Sequence, residues 1–229
     1  SRSFSSSPKQ QLRYHPPPRR PPSFFDRISD NTIIYGILGL NILVFGMWYM
    51  ADQKLRLERD PQAVVWMFKN FTSSIENLKQ GRFWTLLTSC FSQRDFSHII
   101  FNAFTFYFTA PAVLYMLGAR KFLWVYIGGG LVSSATSLIY ANYITQSDRP
   151  SLGASGAIFS IVTFLACAAP TMIFRLYGIV PVPAWLLVSG LFGYDAYQTV
   201  NKTQGTVDTV GHIGGVLAGI AFFIAMRGR

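Results

Sequence analysis

Pro150-Ser151-Leu152-Gly153-Ala154-Ser155-Gly156-Ala157-Ile158-Phe159-Ser160 sets a serine between two glycines, at the head of an apolar run that continues to Ala169. No Asp, Glu, Lys or Arg interrupts residues 153–169. The run reads as a buried or membrane-embedded helix with Ser155 in its first turn. A serine in that place is either a helix-packing hydroxyl or a nucleophile at the mouth of a membrane site. The local sequence leaves both readings open.

Working outward, the same pattern recurs. Residues 33–50, 97–117, 122–143, 182–197 and 207–226 are also apolar and nearly free of charge. Each approaches the roughly 20 residues that a bilayer requires, the last three spans being a little short. The chain of 229 residues is 50% hydrophobic and only 13% charged, about half the charge of a soluble domain. These features predict an all-α membrane protein with six transmembrane helices. Residues 1–30 form a separate basic tail rich in Ser, Pro and Arg, and 31–229 form the six-span domain. Pro16-Pro17-Pro18 and Pro21-Pro22 forbid a regular helix and favour disorder. Arg- and Ser-rich, acid-poor composition fits an organellar transit remnant or a basic flank on the inner side of a membrane. A start at Ser1 rather than Met suggests a fragment or a processed form.

The net charge of +10 does not imply nucleic acid, because the excess lies in the tail and at span edges rather than on a soluble face. Cys90 and Cys167 have neither metal-ligand spacing nor the numbers of a disulfide framework. No metal or cofactor is expected. In the long connection 51–95, Asp60 suits an N-cap and Pro61 the first helical position. Val64, Val65, Met67, Phe68, Phe71, Ile75 and Leu78 then share a helical face, away from Lys69, Glu76 and Lys79. The expectation is one amphipathic helix lying in the membrane interface.

Six spans place both termini on one side, here side A, and put the connections 51–95, 144–152 and 198–206 on side B. Spans two, four and six therefore all start from side B. His98 and Asn102 open span two, Ser155 opens span four, and His212 lies one to two turns into span six. At 1.5 Å per residue all four fall within roughly 10 Å of one membrane face. Polar residues inside spans are costly and usually face the bundle interior, so four at one depth suggest a single site. His212, Gly215 and Gly219 share a face of span six, with Gly211 beside it, and Gly153, Gly156 and Ala157 give span four a matching small surface. Such surfaces let backbones approach closely in lipid and would bring His212 over Ser155.

The chemistry of that set is acyl transfer. A histidine base activates a serine, and donors aimed at the developing oxyanion stabilise the transition state. The Asn102 amide, the His98 ring N–H and the Ser155 backbone N–H, free at a helix N-terminus, are the candidate donors. A buried carboxylate to orient the base is not evident. Asp208, four residues before His212, is expected in the loop, and Phe159 is expected to stack on the imidazole. The reading is a Ser–His dyad. Each signal has a bland counterpart. A Gly-Ala-Ser-Gly step usually packs helices, a lone histidine near a span end is usually a hydrogen-bonded or snorkelling residue, and His98 with Asn102 at i,i+4 can simply bridge helices. The joint arrangement favours the site.

These residues resemble the rhomboid family of intramembrane serine proteases. The resemblance covers about 33–226. It rests on His98-Ile99-Ile100-Phe101-Asn102, on Gly153-Ala154-Ser155-Gly156, and on His212-Ile213-Gly214-Gly215 followed by Gly219. The stretch 150–158 looks most like the mitochondrial, presenilin-associated branch. The resemblance implies hydrolysis of peptide bonds in or beside a substrate's transmembrane segment. Ser155 would be the nucleophile, His212 the base, and His98 and Asn102 the oxyanion hole. It further implies substrate access from the lipid near spans two and five, under the loop after span four, and a first loop dipping into the membrane. It implies a mitochondrial inner-membrane address and substrates such as a dynamin-like GTPase. Four positions depart from common family patterns: Trp84 is followed by Thr85 rather than Arg, Leu114 replaces Glu, Phe159 replaces Tyr, and Gln93 stands near where some relatives have His. The branch often has a further span before the six, and none is visible in this chain.

Side A carries the tail's basic residues, Arg120, Lys121, Arg175, Arg227 and Arg229, against Asp26 and Asp30. The positive-inside rule then turns side A to the matrix and the site to the intermembrane space. A further upstream span would invert this. A different class of function is a non-catalytic rhomboid-like protein that binds or escorts client transmembrane helices. A transporter would call for charges at mid-span or inverted repeats, which this chain lacks.

Overall fold

Ser29 opens the first long helix, its hydroxyl accepting a hydrogen bond from the Thr32 amide at 3.1 Å. The computed structural model describes residues 27–176, 179–201 and 208–227. Most of the tail expected at 1–30 thus lies outside the described residues. Helix α1 (Asp30–Glu58) ends at Arg59, which adopts a left-handed conformation. It outruns the apolar stretch 33–50 by about two turns, and the added turns carry Asp52, Lys54 and Arg56.

The connection that follows holds three short helices rather than one. Helix α2 (Gln62–Phe71) buries Val64 and Met67, and α3 (Ile75–Lys79) and α4 (Thr85–Thr88) come after it. The expected amphipathic face begins as read but does not run on through Ile75 and Leu78, and Val65 is exposed. The break has local causes. The Asn77 side chain donates to the carbonyls of Phe68 and Thr72, at 3.0 and 2.7 Å, and so satisfies the end of α2. The Ser74 hydroxyl accepts from the Asn77 amide and starts α3. The connection is tied back to α1 by the Trp48 indole, which donates to Ser92 Oγ at 2.8 Å, and by Arg94, which donates two hydrogen bonds to Asp52 and lies 5.2 Å over the Trp48 ring.

Helix α5 (Phe96–Tyr140) contains spans two and three. Gly118 breaks it, with φ 70° and ψ 164°, a conformation that costs glycine little. The rings of Phe106 and Tyr126 lie 5.4 Å apart, whereas an unbroken helix would separate them by about 30 Å. The halves 96–117 and 119–140 therefore fold back on each other, and a short π-helical turn (Ala141–Thr145) ends the second.

Helix α6 (Ser155–Ala168) is the centre of the bundle. Every residue from Ser155 to Ala166 is buried except the half-buried Phe159, as expected of a helix that is apolar all round. It packs on both halves of α5 through Phe106, Phe122, Tyr126, Ile158, Ile161 and Leu165, and on α8 (Thr209–Arg227) through Phe164 and Phe223. Enclosure by its neighbours explains how 14 residues suffice. Helix α7 (Ala184–Val200) is peripheral and buries only Ala184 and Asp195.

Between α6 and α7 the expected loop is an antiparallel hairpin of β1 (Ile173–Leu176) and β2 (Val180–Pro183), with Arg175 opposite Pro181. It leaves α6 about 20 Å along the helix from Ser155. The expectation that substrate passes under the loop after span four therefore fails. Asp208, which leads into α8, adjoins the site instead.

The architecture is an all-α membrane bundle. Among the described residues three helices are long and apolar enough to cross a membrane, Asp30–Glu58, Phe96–Thr145 and Thr209–Arg227. With the break at Gly118, and with α6 and α7, six apolar helical segments follow one another in the order the sequence suggests.

Candidate active site

The chain ahead of Ser155 is held by backbone hydrogen bonds to the first connection. Ser73 and Ser151 exchange N–H···O bonds at 2.8 Å in both directions, and the Gly153 amide donates to Ser89 O at 3.0 Å. Gly153 has φ +153°, and a β-carbon there would stand 3.2 Å from Ser155 Oγ and 3.4 Å from the His98 ring. This close approach sets His98 against the turn that delivers Ser155. Helix α6 then begins, leaving the Ser155 amide among the unpaired donors of its first turn.

His212 enters from α8. Asp208 caps that helix, one carboxylate oxygen accepting from the Gly211 amide at 2.8 Å and the other from Ser137 Oγ and Ser151 Oγ. It therefore lies outside the helix, as read from the sequence. Two small faces seat α8. A β-carbon at Gly215 would collide with the carbonyl of Gly156 and stand 3.1 Å from Phe159 Cβ, and one at Gly219 would stand 2.5 Å from Ser160 O. Gly211 and Gly214 lie against Ser133, Thr136 and Ser137 of α5. Gly156 serves twice, its backbone facing Gly215 and its missing side chain leaving room for Ser133.

The outcome is a connected set. His212 Nε2 lies 2.8 Å from Ser155 Oγ. Its Nδ1 lies 3.0 Å from Asp195 Oδ2. Its ring stacks on Phe159 with centroids 4.3 Å apart and planes 16° apart. Ser155 and His212 are each 8% exposed and Asp195 is 5% exposed. An ionised carboxylate only accepts, so Nδ1 carries the proton and Nε2 is left to accept from the serine hydroxyl.

Asp195 corrects the expectation of a histidine without an orienting carboxylate. Its signal was present in the sequence. Span five ends on side B, so an acid near its end stands at the same depth as the other polar residues. A buried carboxylate on an otherwise lipid-facing helix requires a partner, and Thr199 Oγ1 and Thr209 Oγ1, 2.8 Å apart, join α7 to α8 beside it.

His98 and Asn102 lie one turn apart on α5, which Asp95 caps by accepting from the His98 amide at 3.0 Å. Asn102 is buried, and its amide nitrogen has no partner among the described residues. It shares a cavity wall with Ala154, the residue before Ser155. A second, small polar cavity opens beside Ser155 and His212, and Ser133, Ser134, Ser151 and Asp208 also line it. Among the described residues no group of three His, Cys, Asp or Glu could hold a metal ion. The arrangement provides a hydroxyl beside an unprotonated ring nitrogen, donors nearby and a hydrophilic recess within an apolar bundle.

Residues 80–229 match the family profile described as Rhomboid domain. The chain is 31% identical over 216 residues to RHOMBOID-like protein 12, mitochondrial, of Arabidopsis thaliana, covering 88% of this chain and 61% of that protein. It is 28% identical over 202 residues to the human presenilin-associated rhomboid-like protein, mitochondrial, covering 86% and 49%. It is 30% identical over 151 residues to rhomboid protease GluP of Bacillus subtilis (strain 168), covering 65% and 26%. The chain thus spans less than two thirds of the length of each of these relatives.

Proposed function

The chain belongs to the rhomboid family, and on that premise we propose that it is an intramembrane serine endopeptidase with Ser155 as nucleophile and His212 as general base. The observation that carries this reading is the 2.8 Å approach of His212 Nε2 to Ser155 Oγ, both buried, with Asp195 on the other ring nitrogen. A family that includes a protein named as a protease supports it.

In the proposed reaction Ser155 Oγ attacks the carbonyl carbon of a scissile peptide while its proton passes to His212 Nε2. The imidazolium that forms faces the Asp195 carboxylate. The carbonyl oxygen becomes an oxyanion and accepts hydrogen bonds from the Ser155 amide, Asn102 and His98. The C–N bond breaks as His212 returns its proton to the leaving amine. A water from the serine-lined recess then gives a proton to His212 and attacks the acyl ester, releasing the carboxylic acid and restoring Ser155.

The relatives named as mitochondrial make this a multi-pass membrane protein of the mitochondrion. We assign it to the inner membrane, with side A in the matrix. Its substrates would be inner-membrane proteins whose transmembrane segments unwind readily, a dynamin-like GTPase among them. Such a segment would reach Ser155 laterally from the lipid beside spans two and five.

A fluorophosphonate probe tests the reading on the protein reconstituted in liposomes. Wild type is expected to be labelled and to cleave a transmembrane peptide, and Ser155→Ala to do neither. Undiminished cleavage by Ser155→Ala overturns the proposal. Client handling that survives Ser155→Ala with no hydrolysis in either protein would instead support the non-catalytic escort.

A further inference from the structure

Behind the oxyanion side of the site lies a second polar cluster for which the reaction has no use. Asn41, the one strongly polar residue within the apolar run of α1, is buried and donates to Ile37 O at 2.7 Å. Its amide oxygen accepts from Gln93 Nε2 at 2.8 Å. Gln93 is 0% exposed, and its Oε1 has no partner among the described residues. The Tyr126 hydroxyl, on the second half of α5, faces the Asn41 side chain, and among the described residues it makes no hydrogen bond of ordinary geometry. The third unpaired atom is Asn102 Nδ2.

These three atoms belong to residues lining one cavity, whose walls also include Phe106, Ala154 and Ile158. The inventory is complementary: one acceptor, Gln93 Oε1, and two donors, the Asn102 amide and the Tyr126 hydroxyl. The space suits about one water molecule, and a buried water typically makes about three hydrogen bonds to groups that otherwise lack partners. A water there would accept from Asn102 and Tyr126 and donate to Gln93.

We propose that Gln93, Asn102 and Tyr126 form a buried water site that holds the Asn102 amide in place for the oxyanion. One N–H of Asn102 is engaged by the water, and the other is left to face the substrate oxygen. Gln93 and Tyr126 are thereby positioning residues that act through the water, and Asn41 fixes Gln93 from α1. This rests on the reading of Asn102 as an oxyanion donor.

The experiment joins a direct and a kinetic arm, both on the reconstituted full chain. Synchrotron hydroxyl-radical footprinting in ¹⁸O water marks side chains that touch bound water. Tyr126 and Phe106, both sealed from bulk solvent, are expected to be oxidised in wild type and protected in Gln93→Met. Absence of label on both in wild type overturns the water site. In kinetics, Gln93→Met and Tyr126→Phe are each expected to lower kcat about 5- to 30-fold with KM unchanged, and to cause no further loss in an Asn102→Ala background. An equal loss in that background overturns the positioning role. An Asn102→Ala variant with wild-type kcat refutes the oxyanion assignment itself and leaves the footprint to judge the water alone.

Discussion

Asp195 Oδ2 stands 3.0 Å from His212 Nδ1, on the side of the imidazole away from Ser155. The pair joins the peripheral helix α7 to α8, and Asp195 is one of only two buried residues on α7. A carboxylate there fixes the ring's tautomer and opposes the charge that develops on it. Asp195→Asn is therefore expected to lower kcat by roughly 100-fold or more with KM little changed. The test is steady-state cleavage of a fluorogenic transmembrane peptide in liposomes, beside a melting curve to verify folding. A kcat close to wild type in a well-folded variant would remove Asp195 from the reaction.

Gly215 holds α8 against α6 without touching a reacting atom. A side chain there would meet the carbonyl of Gly156 and the Phe159 side chain, so α8 must move away and take His212 with it. Gly215→Leu is expected to reduce cleavage by about 100-fold, because displacements of about 1 Å carry that cost, and to destabilise the fold by about 1–3 kcal/mol. Gly39→Ala is the control, since nothing stands within 4 Å of a β-carbon there. It should melt and turn over like wild type. Equal turnover in both variants would contradict the packing account.

Much of this was legible because a bilayer permits few solutions. Apolar runs without charge had to be helices, and polar residues at one depth on alternate spans had to meet. That logic found His98, Asn102, Ser155 and His212 together, and it anticipated the stacking of Phe159. It did not reach Asp195, because one acid at the end of an apolar run also reads as an interfacial residue, and its partner lies across a connection 17 residues on. Nor did it reach the break after Phe71. Ile75 and Leu78 continue the helical spacing, but side-chain caps from Asn77 and Ser74 compete with the helix. The reversal between the apolar runs 97–117 and 122–143 followed from the gap that separates them, but Gly118 makes the turn, and Arg120 and Lys121 already lie in the second helical half.

The cap on α5 carries a pH dependence. Hydrogen bonds from the Ser97 hydroxyl and then from the His98 amide hold the Asp95 carboxyl below the usual range. A depressed folded value means that the stabilisation is complete above the unfolded value of about 3.9 and is lost as pH falls through the lower folded one. Acidification through that window should fray the turn that carries His98. Amide hydrogen exchange at Ser97 and His98 is the measurement, and Asp95→Asn, whose amide oxygen still caps, should flatten the response. Exchange that rises identically in both proteins would assign the fraying elsewhere.

Phe159 presents its ring to His212 at 4.3 Å and 16°, from the position one turn after Ser155 on the same helix. The contact acts on the imidazole plane rather than on its protons, because the two nitrogens are engaged by Ser155 and Asp195 within that plane. Stacked pairs contribute about 0.5–1.5 kcal/mol beyond the area they bury, which corresponds to roughly 2- to 12-fold in rate when that energy is what keeps the imidazole in the reactive orientation. Phe159→Leu, which keeps an apolar side chain but no ring, should therefore lower kcat within that range and leave KM unchanged. Phe159→Tyr retains the ring and should stay near wild type. Both are measured with the fluorogenic transmembrane peptide, alongside the rate of fluorophosphonate labelling, which reports on Ser155 without substrate binding. If labelling slows in Phe159→Leu in parallel with kcat, the ring orients the base. If labelling is unchanged while KM rises, Phe159 contacts the substrate, and the orienting role is refuted.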